Sequence, residues 1–327
     1  MGSSPGEQAP AAPPRTPPSA SPSPLASAEA RMILGFDVLW VLAAPLVWGP
    51  PLVAAGLLVR AAASTAWWLG LLAAPLGYVV FLATLSLNLG WMKALLPPER
   101  PGTCRVFADR AFFVFLLHWG LEKFVPRPLI AHIQLLTGLR LLYYRLMGTK
   151  LGWSTHISPG AQIWNPGLME FGHLTYIGDF THLSGHLSQG DKLLLAPIVV
   201  GDQSNIGAHS NVAPGCSIGA RVRIGALCDL APGVEIDDDV EMGPRCQVGM
   251  GVKIGAGSKI EPRTFLDSWA TVPPGEVWGG DPARKVGDVR RTSGEARRRK
   301  RRWGKGGDSE AAPEPVDAAP EPVEASP

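Results

Sequence analysis

From Val200 to Leu230 the chain reads VGDQSNIGAHSNVAPGCSIGARVRIGALCDL, and the spacing of its aliphatic residues decides the fold. One aliphatic side chain returns every six residues. The register runs Val200, Ile206, Val212, Ile218, Ile224, Leu230, Ile236, Met242, Val248, Ile254, Ile260, Leu266, Val272. Four residues after each of the first twelve stands a small or β-branched residue, from Ser204 and Ser210 through Cys216, Val222 and Cys228 to Ala270. A period of six is neither the 3.6 of a helix nor the simple alternation of a flat strand. It describes short strands joined by tight corners, each repeat too small to bury its own apolar face. Stacked coils bury those faces in one continuous aliphatic core and pair the backbone from coil to coil.

Upstream the same register is present but broken. Ile157 and Ile163 begin it, Phe171, Ile177 and Leu183 continue it after a two-residue slip, and Leu194 resumes it ahead of Val200. The eleven residues from Leu183 to Leu194 imply that about five leave the coil. A loop that interrupts a stiff repeat is a place where function is expected. This one reads Thr181-His182-Leu183-Ser184-Gly185-His186-Leu187-Ser188-Gln189-Gly190-Asp191.

The rest of the 327 residues falls into four more segments. Residues 1–30 are rich in Pro, Ser and Ala and predict a disordered leader. Residues 31–97 hold two runs free of charge, Val38 to Val59 and Ala61 to Met92, divided by Arg60. Each is long enough to cross a hydrocarbon core of about 30 Å, so they predict an α-helical membrane hairpin with interfacial tryptophans. Lys93, Arg100, Arg105 and Arg110 on the far flank point to an integral membrane protein with both hairpin ends, and the catalytic domain, in the cytoplasm. Residues 98–149 predict interfacial amphipathic helices. In the last of them Leu135, Leu139, Leu142 and Leu146 form an apolar stripe, and Thr137, Arg140 and Tyr144 a polar one. The β-helix occupies 150–289. Residues 290–327 are a basic run, Arg297 to Arg302, followed by an acidic Pro-rich tail, both expected to be disordered. A net charge of +2 gives no reason to expect nucleic acid, and the basic run suits anionic lipid better. The four cysteines form no CxxC pair, so no zinc or redox motif is expected, and Cys228 and Cys246 fall in one internal column with Ser210 and Thr264.

Two motifs flank the repeat. Pro197-Ile198-Val199-Val200-Gly201-Asp202 follows the loop, and Gly280-Asp281-Pro282-Ala283-Arg284, preceded by Trp278, closes the last coil. With the hexad period, these resemble the hexapeptide-repeat acyltransferases of the acetyl-CoA type over roughly residues 150–290. The resemblance implies an all-β left-handed parallel β-helix with three hexads to a coil. It implies a homotrimer whose site lies between subunits and a loop histidine as base. The donor it implies is acyl-CoA or an acyl-carrier thioester, a co-substrate rather than a bound cofactor. It places that donor near the closing turn, at Gly280, Pro282, Ala283, Arg284 and Lys285. A wider resemblance, through Lys93-Ala94-Leu95-Leu96-Pro97-Pro98 and Thr137-Gly138-Leu139-Arg140-Leu141-Leu142, links the layout to the membrane-bound C-terminal region of ε-poly-lysine-synthetase-type peptide synthetases. This chain departs from those in lacking adenylation and carrier domains and in having a single β-helix.

A thioester is attacked poorly by an amine or hydroxyl that keeps its proton, and an imidazole near neutrality can take that proton. Of seven histidines, His186 is the first candidate for the base, with His182 on the same loop and His209 in the regular repeat as alternatives. His118 and His132 read as structural, and Asp179 or Asp191 as possible orienting groups. The acceptor is a small molecule with an amine or hydroxyl. Two other readings stay open: a γ-class carbonic anhydrase using His182, His186 and His209 around a metal, and a non-catalytic membrane scaffold.

Overall fold

The computed structural model of the protein describes residues 24–125 and 127–289. The described residues up to Asp288 form one compact unit. The leader before Pro24, the basic run and the acidic tail lie outside the described residues.

The repeat folds as a parallel β-solenoid of seven coils with three faces. The first face stacks Lys150–Leu151, Met169–Phe171, Ile198–Val200 and four later strands ending with Thr271–Val272. The second runs from His156–Ile157 through Asn205–Ile206 to Glu276–Gly279. The third runs from Gln162–Trp164 through His182–Ser184 and Asn211–Val212 to Phe265–Leu266. In the regular part partners lie eighteen residues apart, as in Ile206 with Ile224 and Val212 with Leu230. All thirteen aliphatic residues of the register are 4% exposed or less. The inner column Ser210, Cys228, Cys246, Thr264 is buried as expected. Its thiols donate to backbone, Cys228 Sγ to Gly243 O at 3.3 Å and Cys246 Sγ to Glu261 O at 3.1 Å. Burial pushes the Cys216 thiol up to about 11, so it acts as a small core side chain.

Glycine follows seven of the thirteen register residues, and it has a steric cause. A Cβ on Gly225 would stand 2.5 Å from the Pro244 nitrogen in the next coil. The coils therefore touch backbone to backbone at these corners.

Three features differ from the sequence expectation. Leu151 joins the first face one strand ahead of Ile157. Leu194 does not resume the repeat. Seventeen residues separate Leu183 from Val200 where a regular coil uses six, so eleven are inserted rather than five. They form an antiparallel hairpin, His186–Gln189 with Lys192–Leu195, whose outer edge pairs with Gly102–Arg105. Leu193 and Leu195 bury against Cys104, Phe112, Phe115 and Leu168 in a small second core. The hairpin is thus ordered by apolar burial and by a strand from ninety residues earlier.

Five helices precede the solenoid: α1 (Pro24–Thr65), α2 (Trp67–Leu95), α3 (Arg110–Lys123), α4 (Arg127–Leu135) and α5 (Thr137–Leu146). Helices α1 and α2 are long and apolar enough to cross a membrane. They pair closely, since a Cβ on Gly70 would meet Ala63 Cβ at 2.8 Å. The chain turns at Ala66, not at Arg60, which stays inside α1, and α1 already starts within the segment expected to be disordered. Of the most apolar window of α1 only 6% is buried, and Val41, Leu42, Leu71 and Leu72 are each more than 65% exposed.

Helices α3–α5 are not a separate surface layer. Leu121, Ile133, Leu139 and Tyr143 share one continuous core with Leu85 and Leu89 of α2 and with Leu151 and Ile157 of the solenoid. Both stripes of α5 are partly buried: Leu139 of the apolar stripe is in the core, but so are Arg140 (4% exposed) and Tyr144 (2%) of the stripe expected to be polar, while Leu135, just before the helix, is 64% exposed. Most of the polar atoms find partners inside, although the buried Arg140 Nε has none. The Gln134 amide bonds the Tyr144 hydroxyl at 2.7 Å, and Arg140 donates to the carbonyls of Gln134 and Thr155. Satisfied polar atoms bury at little cost, which a pattern of residue types does not register.

Candidate active site

The site forms where the two irregularities of the repeat meet. Two extra residues between Ile163 and Phe171 allow a one-turn helix, Pro166–Leu168, preceded by Asn165 at φ 58°. Asparagine tolerates this left-handed backbone better than most residues. The turn places the Asn165 side chain beside the inserted hairpin, and the side chain is fully buried. Gly185 permits the approach, since a Cβ there would stand 3.1 Å from Asn165 Cβ.

His186 opens the hairpin and is half-buried. Its Nδ1 lies 2.6 Å from Asn165 Oδ1. Asn165 Nδ2 donates to Glu99 Oε1 at 2.9 Å. That second bond fixes which amide atom faces the ring. An oxygen there accepts, so His186 Nδ1 carries the hydrogen and Nε2 keeps its lone pair. Ser184 supports this tautomer. Its hydroxyl donates to His186 O at 2.8 Å and leaves its own lone pairs toward Nδ1 at 3.3 Å. Phe115 packs against the imidazole with ring centroids 5.0 Å apart. Burial holds the His186 pKa below its ordinary value; Glu99 opposes this, and His182 and Lys123 add to it. The ring is therefore neutral at pH 7.

Behind Asn165 lies a buried ionic cluster. Lys93 Nζ is 3.7 Å from Glu99 Oε2 and 3.5 Å from Glu122 Oε1, with all three side chains at most 9% exposed. His118 Nδ1 is 3.9 Å from Glu99 Oε2, and its Nε2 contacts Pro97 O at 2.8 Å. Glu122 Oε2 accepts the Asn165 backbone N–H at 3.2 Å. Lys93 Nζ, Glu99 Oε2, His118 Nδ1 and Glu122 Oε1 have no hydrogen-bond partner among protein atoms. Four such atoms converging within ion-pair distance suit a bridging water, as buried polar groups are rarely left orphaned. Burial raises Glu122 from its ordinary 4.5 to about 7, with Lys93 opposing and Glu99 assisting. Burial also lowers the His118 pKa. Lys93, read from sequence as a flanking charge, is in fact buried.

The structure brings together two of the three candidate histidines. His182 sits on the third face beside Gln162 and Asn211, near enough to affect His186. His209 lies on an exposed corner two residues before Asn211, stacked on Phe180 at 5.0 Å, and makes no contact with His186. Neither carboxylate suggested from sequence orients His186. Asp179 accepts from the Gly160 N–H at 2.7 Å, and Asp191 is exposed at the hairpin tip, where its carbonyl accepts from Val106. Asn165 and Glu99 stand in their place. Their only trace in the sequence is the two-residue slip and the conspicuous charge beside Pro97-Pro98. His132 contacts Tyr78 Oη at 2.5 Å. Among the described residues no group of three His, Cys, Asp or Glu side chains is placed to hold a metal ion.

The closing turn seals the last coil. Gly280 O accepts from Phe265 N and Ala283 N donates to Phe265 O, both at 3.0 Å. Lys285 is held by Glu276 at 2.8 Å and Asp288 at 2.7 Å, whereas Arg284 and Pro282 project into solvent. The turn lies one layer beyond Phe265–Leu266 and so five strand spacings along the third face from the coil of His182, roughly 24 Å. An extended ligand lying on the face would be needed to touch both.

No protein-family model matches the chain, and no curated protein matches it. Solved structures similar to it include N-acyltransferases and acetyltransferases. AntD, an N-acyltransferase from Bacillus cereus solved with dTDP and 3-hydroxybutyryl-CoA, is 18% identical, with a TM-score of 0.40 over 49% of this chain and 94% of that one. The acetyltransferase domain of PglB from Neisseria gonorrhoeae is 16% identical, with a TM-score of 0.35 over 50% and 75%. A variant of perosamine N-acetyltransferase from Caulobacter crescentus, solved with CoA and GDP-perosamine, is 20% identical, with a TM-score of 0.27 over 49% and 67%. All three overlaps span about half of this chain.

Proposed function

We propose that the protein is a membrane-anchored acyltransferase with His186 as its general base. The observation that carries this reading is the chain His186 Nδ1–H to Asn165 to Glu99, which leaves Nε2 as the one basic atom of a neutral imidazole. The donor is acyl-CoA or a carrier-bound thioester, and the acceptor is an amine or hydroxyl. Nε2 takes the acceptor proton as the acceptor attacks the thioester carbonyl. The tetrahedral oxyanion then collapses, the C–S bond breaks, and the imidazolium returns the proton to the departing sulfur. The acyl group ends on the acceptor, and a free thiol is released. Asn165 and Glu99 are positioning residues: they hold the ring and place negative charge behind it as the imidazolium forms.

The exposed apolar surface of α1 and α2 supports membrane anchoring, since burying it in lipid removes the cost of wetting it. The sequence resemblance adds a homotrimer with the donor between neighbouring solenoids; the basic charge of Arg284 suits the donor phosphates, and the basic flank of the hairpin puts the solenoid in the cytoplasm. His182 is the reserve base.

The test is His186→Ala in the full chain, assayed for thiol release with acyl-CoA and candidate acceptors. Loss of about 10²–10⁴-fold in rate with the solenoid still folded is expected. Full activity in that variant moves the base to His182, and no thiol release by the parent under any acceptor sinks the acyltransfer reading.

A further inference from the structure

A cavity of about 670 Å³ lies between the helices and the first coils. Val125, Ile130, Ala131 and Tyr143 wall it on one side, and Ile163 and Trp164 on the other. Such a size accommodates a small-molecule ligand, and the lining is mostly apolar. Its inner end adjoins the base. Trp164 is the residue before Asn165 and pairs across the sheet with Ser184, which bonds His186. Glu122 also lines the cavity; its Oε2 accepts the Asn165 N–H, and its buried Oε1 makes no hydrogen bond.

The cavity's outer wall belongs to the apolar hairpin side of the molecule. Ile130 and Ala131 are on α4, and the next residue, His132, contacts Tyr78 of α2. Leu135 and Leu136, which end α4 and follow it, are exposed at 64% and 43%. An apolar surface thus continues from α2 over α4 to a mostly apolar cavity that reaches Trp164, the cross-strand partner of Ser184 beside the proposed base.

We propose that this cavity takes the alkyl tail of a membrane-resident amphiphile whose amine or hydroxyl head is the acyl acceptor at His186. The proposal rests on the acyltransferase reading for the role of the head group. Tail binding is independent of it. A chain lying in the cavity leaves its head at Trp164, next in sequence to Asn165 and near the Glu122 carboxyl. Each methylene withdrawn from water strengthens binding by about fourfold, so chain length becomes the signature of the site.

The probe is a twelve-carbon alkylamine with a diazirine at the far end of its chain, added to the full-length protein in phosphatidylcholine nanodiscs. Irradiation should label peptides containing Ala131 and Ile163. Unlabelled amines should compete about fourfold less well for each methylene removed. Ile163→Trp and Ala131→Trp, from opposite walls, should each cut labelling at least tenfold. His186→Ala should label normally, so a failed base assignment and a failed tail site give different results. Labelling confined to the exposed faces of α1 and α2 overturns the proposal. Peptide mapping of the parent protein decides that point even if both tryptophan variants misfold. Displacement of the probe by palmitoyl-CoA but not by dodecanol also overturns it, because the cavity would then hold the donor's acyl chain.

Discussion

Asn165 Oδ1 lies 2.6 Å from His186 Nδ1 and reads the imidazole as one tautomer, because the amide nitrogen of the same side chain is engaged by Glu99 at 2.9 Å. The pair joins two segments that are irregular for different reasons. One is a two-residue slip that turns the backbone left-handed, and the other is an eleven-residue insertion that leaves the coil as a hairpin. A regular hexad would present outward side chains on a flat face with nothing behind them. The interruption of the repeat supplies the histidine and the residue that aims it.

Asn165→Ala should therefore lower kcat about 10–100-fold with little change in KM. The loss corresponds to one charge-assisted hydrogen bond and a Glu99 oxygen left without its donor. Asn165→Asp keeps the left-handed backbone and the acceptor, but it sets a second negative charge against the ring. That variant should retain more activity than alanine and move the acidic limb of the rate profile to higher pH. Equal KM losses in both variants would instead mark Asn165 as a binding residue.

The rate should rise with pH through a titration below 6.5, because burial lowers the His186 pKa and only the neutral ring accepts a proton. Glu99 acts in the opposite direction, favouring the imidazolium. Glu99→Gln removes that charge and keeps an acceptor for Asn165, so the limb should shift further down. The check is kcat/KM from pH 5 to 8 for both proteins. A limb unmoved by Glu99→Gln would show that the titrating group is not His186.

The solenoid was legible because its cause is local and repeated: each Val, Ile or Leu of the register meets its like one coil away. The site was only half legible. His186 stood out by breaking the period, but its partners come from three separate segments: Lys93 and Glu99, Glu122, and Asn165. Nothing near Glu99 announces that its carboxylate turns inward. Lys93 was misread for the same reason, since a positive charge after an apolar helix normally faces water. In α5 the pattern of residue types was incomplete, because Arg140 and Tyr144 bury alongside Leu139, with partners drawn from Gln134 and Thr155.

The corner glycines make a separate, purely steric prediction. Gly225→Ala would force a Cβ to 2.5 Å from backbone of the next coil, a clash that no rotamer relieves. Such overpacking should cost about 1–3 kcal/mol. Gly287→Ala, with nothing within 4 Å of the added carbon, should change stability by less than about 0.5 kcal/mol. Denaturant midpoints of the two variants test this. Equal midpoints would mean that the coils are less closely stacked than their hydrogen bonds indicate.

Glu122 should make the protein less stable as pH rises. Its folded pKa, about 7, lies above its ordinary 4.5, so the folded state binds more protons than the unfolded chain between those values. Stability supplied by the neutral acid is fully present below pH 4.5 and is lost as pH climbs through 7, a difference of roughly 3 kcal/mol. His118 and His186 act with the opposite sign, because their folded pKa values are lowered and their neutral forms favour folding as pH rises toward 6.5. The parent curve alone therefore mixes the two effects. Glu122→Gln keeps an oxygen for the Asn165 N–H and cannot titrate. Subtracting its stability from that of the parent at each pH isolates the carboxyl. The variant should be comparable to the parent near pH 5 and more stable at pH 8, read as unfolding midpoints in one detergent. A difference that does not change with pH would mean that Lys93 holds Glu122 ionised throughout, and that the cluster is a settled ion pair rather than an acid kept near neutrality by burial.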